Sequence, residues 1–152
     1  MIRPNEYANY QKIGELDVYT RVKADIAYIA IAAQTTGWIA IGIDPESSMK
    51  GADIIMGAVV DNKANMVDMY STGPFGPHPL DIAQGGVNDV TEWGGTEING
   101  VTTIEFKRKL NTGDKLDKSL KLGDNKVIWG VGETDDLKSK HSRRGEARLL
   151  LQ

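Results

Sequence analysis

The sequence contains five methionines and two histidines but no cysteine. Any soft or borderline ligand for a transition metal must therefore come from Met1, Met49, Met56, Met66, Met69, His78 or His141. Met56 lies among apolar neighbours in mid-strand, and Met66 and Met69 flank a strand, so all three read as packing residues. Met49 differs. It sits in Glu46-Ser47-Ser48-Met49-Lys50, a polar loop with no apolar companion, where a thioether gains little by burial unless something apolar covers it. His141 lies in Lys138-Ser139-Lys140-His141-Ser142-Arg143-Arg144, a polar loop between two strands. His78 is held between Pro77 and Pro79, which suits a ligand, a hydrogen-bonding group or a lid equally. Taken one at a time, Met49 reads equally as an exposed or lightly packed residue, and His141 and His78 read first as exposed histidines. Lys138, Lys140, Arg143, Arg144 and Arg148 crowd into one short stretch of an otherwise acidic chain. Such a run is a solvated charged face or an anion site, for a cofactor's carboxylates or an acidic partner.

The absences narrow the chemistry. Without cysteine there are no disulfides, zinc fingers, Cys-ligated iron–sulfur clusters, Cys nucleophiles or covalent c-type haem. There is no G-x-S-x-G, P-loop, H-E-x-x-H or glycine-rich strand-to-helix turn, and nothing marks a carboxylate pair for glycoside hydrolysis, so no enzymatic activity is expected. A formal net charge of −3 gives no basic footprint for nucleic acid. The longest apolar run, Ile26 to Ala33, is too short to span a bilayer, and no signal peptide opens the chain.

The elements that must position these side chains are strands. Leu16 to Lys23 alternates apolar and polar residues, and Ile26 to Ala33 is its richer hairpin partner across Ala24-Asp25. Trp38 to Ile43 follows, with Gly42 marking a bulge or a close approach by something bulky. Ala52 to Val60 and Asn65 to Ser71 form another hairpin around Asp61-Asn62-Lys63. Ser71 to Gly100 is irregular, holds three of the five prolines, and reads as a long functional loop or lid. Val101 to Lys109 alternates again, Lys126 to Gly132 is a strand carrying Trp129, Thr134 to Gly145 is a polar loop, and Ala147 to Leu151 closes the chain. About eight short strands without a convincing amphipathic helix predict an all-β sandwich or barrel, with residues 1–152 forming one domain.

Gly37-Trp38-Ile39-Ala40-Ile41-Gly42-Ile43 followed by Met49-Lys50-Gly51-Ala52-Asp53-Ile54-Ile55-Met56-Gly57 resembles the signature of the DOMON domain family. The similarity continues through Val67-Asp68-Met69-Tyr70, Thr103 to Leu110 with Thr112-Gly113-Asp114, Val127 to Gly132, and His141 ahead of Gly145. The resemblance implies a two-sheet, immunoglobulin-like β-sandwich. In haem-binding members, such as the cytochrome domain attached to cellobiose dehydrogenase, a b-type haem sits at one end of the sandwich. Its axial ligands are the Met of M-x-G-A-D and a His of the late loop, which match Met49 and His141 here. That implies a non-covalent haem b with both axial positions filled, and hence electron transfer to a partner oxidoreductase or membrane protein. Trp38, Met56, Met69, Tyr70 and Phe75 are then candidates to line the ring, and Lys140, Arg143 or Arg144 to pair with the propionates. Some relatives place Lys at the second ligand position, which would make Lys138 or Lys140 the alternative. Other members lack the haem ligands. The family also implies an extracellular or periplasmic location.

A second reading from the same resemblance is a carbohydrate-binding sandwich without haem. Its stacking aromatics would be Trp38, Trp93 and Trp129, of which Trp93, in a glycine-rich loop, is the best placed.

Overall fold

The computed structural model describes residues 5–73, 90 and 92–152. Phe75 and His78 lie outside the described residues. Among them the chain forms ten strands and no helix. In order these are β1 (Asn9–Ile13), β2 (Leu16–Lys23), β3 (Ile26–Gln34), β4 (Ile39–Ile43), β5 (Asp53–Val60), β6 (Lys63–Tyr70), β7 (Glu92–Ile98), β8 (Val101–Lys109), β9 (Gly123–Val131) and β10 (Arg143–Leu151).

Local sequence explains the hairpins. Asp61 and Asn62 both take positive φ (49° and 61°), the two-residue turn whose twist matches the strands it joins. Asn99 and Gly100 do the same between β7 and β8 (52° and 75°). The strands pair antiparallel in two sheets, β1-β2-β3-β8-β7 and β10-β9-β4-β5-β6. The all-β sandwich expected from the sequence is therefore observed.

Several boundaries differ from expectation. The strand carrying Trp129 begins at Gly123 rather than Lys126, with Gly123 opposite Leu151. The stretch Ser71 to Gly100 is not loop throughout, because Glu92–Ile98 pairs with β8 in register Trp93↔Phe106 and Ile98↔Val101. The last strand starts at Arg143 rather than Ala147, since its polar residues pair with β9 from Arg143↔Val131 onward. A first strand, Asn9–Ile13, lies ahead of the expected one and pairs with β2.

Inward-facing side chains of both sheets make the main core. Ile29, Ile31, Ile104 and Phe106 from one sheet meet Ile39, Ile41, Ile55 and Val127 from the other. Met66 packs in this core as expected. The sheets are also tied by an ion pair. Arg108 Nη1 of β8 donates to Asp53 Oδ2 of β5 at 2.6 Å, with both side chains almost wholly buried. The Lys118 backbone N–H donates to the same oxygen at 3.0 Å. Burial pushes the Asp53 carboxyl above its ordinary range while the guanidinium pulls it back.

Removing one partner of a buried pair strands the other charge without solvent. Arg108→Ala is expected to lower the unfolding free energy by about 3–5 kcal/mol. Urea titration followed by far-UV circular dichroism measures this. An unchanged midpoint would show that the pair contributes nothing.

Candidate functional site

The second sheet is apolar on both faces. β4 is buried at every position, and β5 at every position but its last. Because side chains alternate across a strand, Ala40, Ile54, Met56 and Met69 point away from the sandwich core and form a second cluster with Trp38, Ala52 and Ala58. A cavity of about 1350 Å³ lies over this outer face.

The strand register shows how its floor is built. One rung across the sheet reads Arg144, Gly130, Ala40, Met56, Val67, and the next reads Glu146, Ile128, Gly42, Ile54, Met69. All ten residues line the cavity. The small residues Gly130, Ala40 and Gly42 occupy the middle of the floor and give it depth. Gly42 is in regular register with Ile54 and Ile128, so it marks a close approach and not a bulge. A Cβ there would stand 2.6 Å from Ile128 Cγ1.

Met49 and His141 both line this cavity and are both half-buried. They reach it from opposite ends. Met49 sits on the β4–β5 connection, beyond the rung holding Gly42. That connection is a tight hairpin: Ser47 and Lys50 pair, Lys50 N–H donates to Ser47 O at 2.9 Å, and Ser48 takes φ 53°. Gly51 N–H donates to Ser71 O at 2.8 Å and Ala52 N–H to Met49 O at 3.1 Å, fixing the base of the turn to β6 and to Met49.

His141 ends the β9–β10 connection, at the side of the rung holding Gly130. A Cβ on Gly130 would lie 3.8 Å from the His141 Cβ. Ser142 N–H donates to Val131 O at 2.8 Å immediately after it. Earlier in the same loop, Trp38 Nε1–H donates to Ser139 Oγ at 3.0 Å, and Ser139 Oγ donates to Asp136 O at 2.7 Å. The Trp38 indole lies against the end of β9 at Gly130 and against Gly132 just past it, where a Cβ would overlap it. Trp38 is thus the wedge that seats the His141 loop on the sheet.

The chain matches the DOMON domain family over residues 12–132. It belongs to that family. This DOMON chain is 29% identical over 105 residues to DBH-like monooxygenase protein 1 of Mus musculus, covering 69% of the chain and 16% of that protein. It is 27% identical over 125 residues to the Homo sapiens protein of the same name, covering 80% of the chain and 20% of the relative. The chain therefore spans a fifth or less of these curated relatives. In fold it is similar to the cytochrome b domain of pyranose dehydrogenase from Coprinopsis cinerea, with TM-score 0.62 and 16% identity over 88% of this chain and 74% of that one. It is likewise similar to the cytochrome domain of Myriococcum thermophilum cellobiose dehydrogenase, with TM-score 0.63 and 13% identity over 90% and 74% of the two chains.

Of the residues singled out in the sequence, the DOMON fold brings Met49, His141, Trp38, Met56, Met69, Lys138, Lys140 and Arg144 to one cavity. Met56 and Met69 are packing residues as expected, but of the outer face. Tyr70 is not brought there. It pairs with Asp53 on the opposite face of β6 from Met69. Arg143 turns away to pair with Glu15, Nε to Oε2 at 2.7 Å, and donates to Gln34 O. Arg148 pairs with Asp124 at 2.8 Å. Of the three tryptophans, Trp38 and Trp129 both border the cavity and Trp93 does not. Trp38 is buried, the Trp129 indole lies against Gly14 and Gly145, and Trp93 on β7 donates Nε1–H to Ala64 O of β6 at 3.1 Å. The sequence reading missed Ile54, Val67, Ile128 and Leu137 as lining residues. The available signal was that β4 and β5 are apolar at successive positions, not alternate ones.

Ser139→Ala removes the acceptor for the Trp38 indole, with an expected cost of about 1 kcal/mol in urea unfolding. Amide hydrogen exchange should rise selectively in residues 134–142. Exchange unchanged there would show that this hydrogen bond does not seat the loop.

Proposed function

We propose that this DOMON domain holds one non-covalent b-type haem in the outer-face cavity, where Met49 and His141 would hold its iron, and serves electron transfer. The observation that carries the reading is the placement of one thioether and one imidazole at opposite ends of an apolar trough. A volume of about 1350 Å³ exceeds the roughly 300–1,000 Å³ of ordinary small-ligand pockets, as a large planar macrocycle requires. The donor set fits iron: one sulfur and one nitrogen, with no thiolate in the chain. Similarity of fold to two cytochrome domains supports the same reading.

The chain's own residues divide the work. Met56, Ile54, Met69, Val67 and Ile128 line the cavity and would exclude water from a bound macrocycle. Lys138, Lys140 and Arg144 line the cavity and make no ion pair among the described residues, so they are available to two carboxylates. Arg143, engaged with Glu15, is not part of that set. Bound haem would supply a one-electron iron couple, whose potential a Met/His pair raises relative to more basic ligands. With both donors engaged, the site is suited to passing electrons to a partner oxidoreductase or membrane protein rather than to binding substrate. We place that role outside the cytoplasm, as the family resemblance implies. No described helix is long and apolar enough to cross a membrane.

Haemin titration of the purified protein tests this. One equivalent should give a low-spin spectrum with sharp visible bands on reduction. Met49→Ala and His141→Ala should each lose that low-spin signature while keeping the far-UV spectrum of the folded sandwich. A wild type that gives no Soret change on haemin addition ends the reading, and a variant with an unchanged low-spin spectrum removes its residue from the ligand pair. A Met/Lys site would appear as a His141→Ala variant that stays low-spin and a Lys140→Ala or Lys138→Ala variant that does not.

A further inference from the structure

We infer that Lys126 is the positioning residue for the Met49 thioether, and the role assigned to that thioether rests on the haem reading above. Met49 belongs to residues 44–51, an arch that leaves β4 after Ile43 and returns to the sheet ahead of Asp53. Its backbone is not at rest. Asp44, Ser48 and Gly51 all take positive φ, at 47°, 53° and 76°. Residues with a side chain resist that region and stay there only where their surroundings fix them.

The two limbs of the arch are fixed differently. The second limb is tied through backbone, by Gly51 N–H on Ser71 O. The first limb contains Pro45, which has no N–H to donate. Both ties to it from β9 come from one residue. Lys126 O accepts from Asp44 N–H at 2.9 Å, and Lys126 Nζ donates to Pro45 O at 3.2 Å. The same lysine thus clamps two consecutive residues, one of them in the left-handed region.

Register explains the reach. Gly130, Ile128 and Lys126 alternate onto the outer face of β9. The first two belong to the cavity floor, and Lys126 stands one rung further, opposite Arg148, at the end where the arch begins. An apolar residue there would simply continue the floor. The sequence has a half-buried lysine instead, and its ammonium is spent on a neutral carbonyl.

A second lysine approaches the arch, with Lys118 Nζ 3.6 Å from Glu46 Oε1. The Glu46 side chain is 58% exposed, so that contact is loose, screened by salt and worth little. The Lys126 hydrogen bond goes to the carbonyl of a buried proline, and bonds from a charged donor are the stronger kind. Lys126 is therefore the side chain that sets where the arch, and Met49 with it, stands over the cavity.

Lys126→Met keeps the length of the side chain and removes the ammonium. In the haem-free protein, amide exchange at Asp44, Glu46 and Lys50 should speed up about tenfold, the loss of one charge-assisted hydrogen bond, while β2 and β3 keep wild-type rates. Lys126→Arg should restore slow exchange. In the haemin-loaded ferric protein, added imidazole should displace the thioether at about tenfold lower concentration in Lys126→Met than in wild type, read from the Soret band. Lys118→Met should change either measurement by less than about twofold. Unchanged exchange in the arch of Lys126→Met overturns the inference. So does a rise spread equally over both sheets, which would make Lys126 a stabiliser of the fold alone. Imidazole affinity equal to wild type breaks the link from arch to thioether, and an equal effect of Lys118→Met overturns the choice of Lys126. A wild type that takes up no haemin removes the haem reading, and the exchange comparison then decides for or against the clamp by itself.

Discussion

The constraint behind this structure is a sheet that cannot tolerate water on either side. Antiparallel sheets commonly pack one face on a core and leave the other solvated. Here the strands at the middle of the second sheet carry apolar side chains on both faces: Ile39, Ile41 and Ile43 inward, Trp38 and Ala40 outward. Each square ångström of apolar surface left wet costs about 25 cal/mol, so a bare outer face would be an exposed patch of the kind that marks a binding site. The chain covers that face only partly, with two connections that arch over a trough. What remains uncovered is the cavity of about 1350 Å³.

The depth of the trough is set by side chains that are missing. Gly130, Ala40 and Gly42 lie side by side on two adjacent strands, flanked by Met56, Ile54 and Ile128. The two arches are held differently. The Met49 arch is short and anchored by backbone hydrogen bonds through Gly51 and Ala52. The longer His141 arch needs a side chain, and Trp38 supplies it by resting on Gly132 and donating to Ser139. A side chain that is to bind a guest is useful only if it is held in place before the guest arrives, since ordering a loose loop on binding costs affinity.

Much of the fold was legible because alternation and turn residues are local. β2 and β8 follow period two, β3 is a continuous apolar run beside β2, and the Asp61-Asn62 turn was visible between two apolar runs. β7 was hidden by Gly94-Gly95 and by the prolines upstream. Yet Asn99-Gly100 stood directly ahead of β8 as the strongest short hairpin signal available. The polar start of β10 was hidden for another reason. Arg143 and Arg144 lie on an edge strand, where pairing with β9 matters and burial does not. At the site, Met49 and His141 stood out as residues without local companions, but that they share a cavity is a matter of register, which no single segment carries. Register also separates Arg144, on the outer face beside Gly130, from Arg143, which turns toward Glu15. Adjacent arginines in a sequence are indistinguishable until the pleat sends them to opposite sides.

The run Met49-Lys50-Gly51-Ala52-Asp53 shows how one short sequence serves two faces of a sheet. Its first residue reaches over the outer trough, and its last enters the interior to meet Arg108. Between them Gly51 takes φ 76°, a conformation side chains resist, and its N–H is spent on Ser71 O. A Cβ there would also press on the Glu46 side chain. The reversal of direction between Met49 and Asp53 therefore depends on a glycine at that point. If Asp53 shifts, the strand start shifts with it, and the turn holding Met49 is pinned to that strand start through Ala52 N–H and Met49 O. The buried charges inside the sandwich and the thioether outside it are thus mechanically coupled through the three residues between Met49 and Asp53. A motif this short constrains both sides of the sheet because neither side can move without the other.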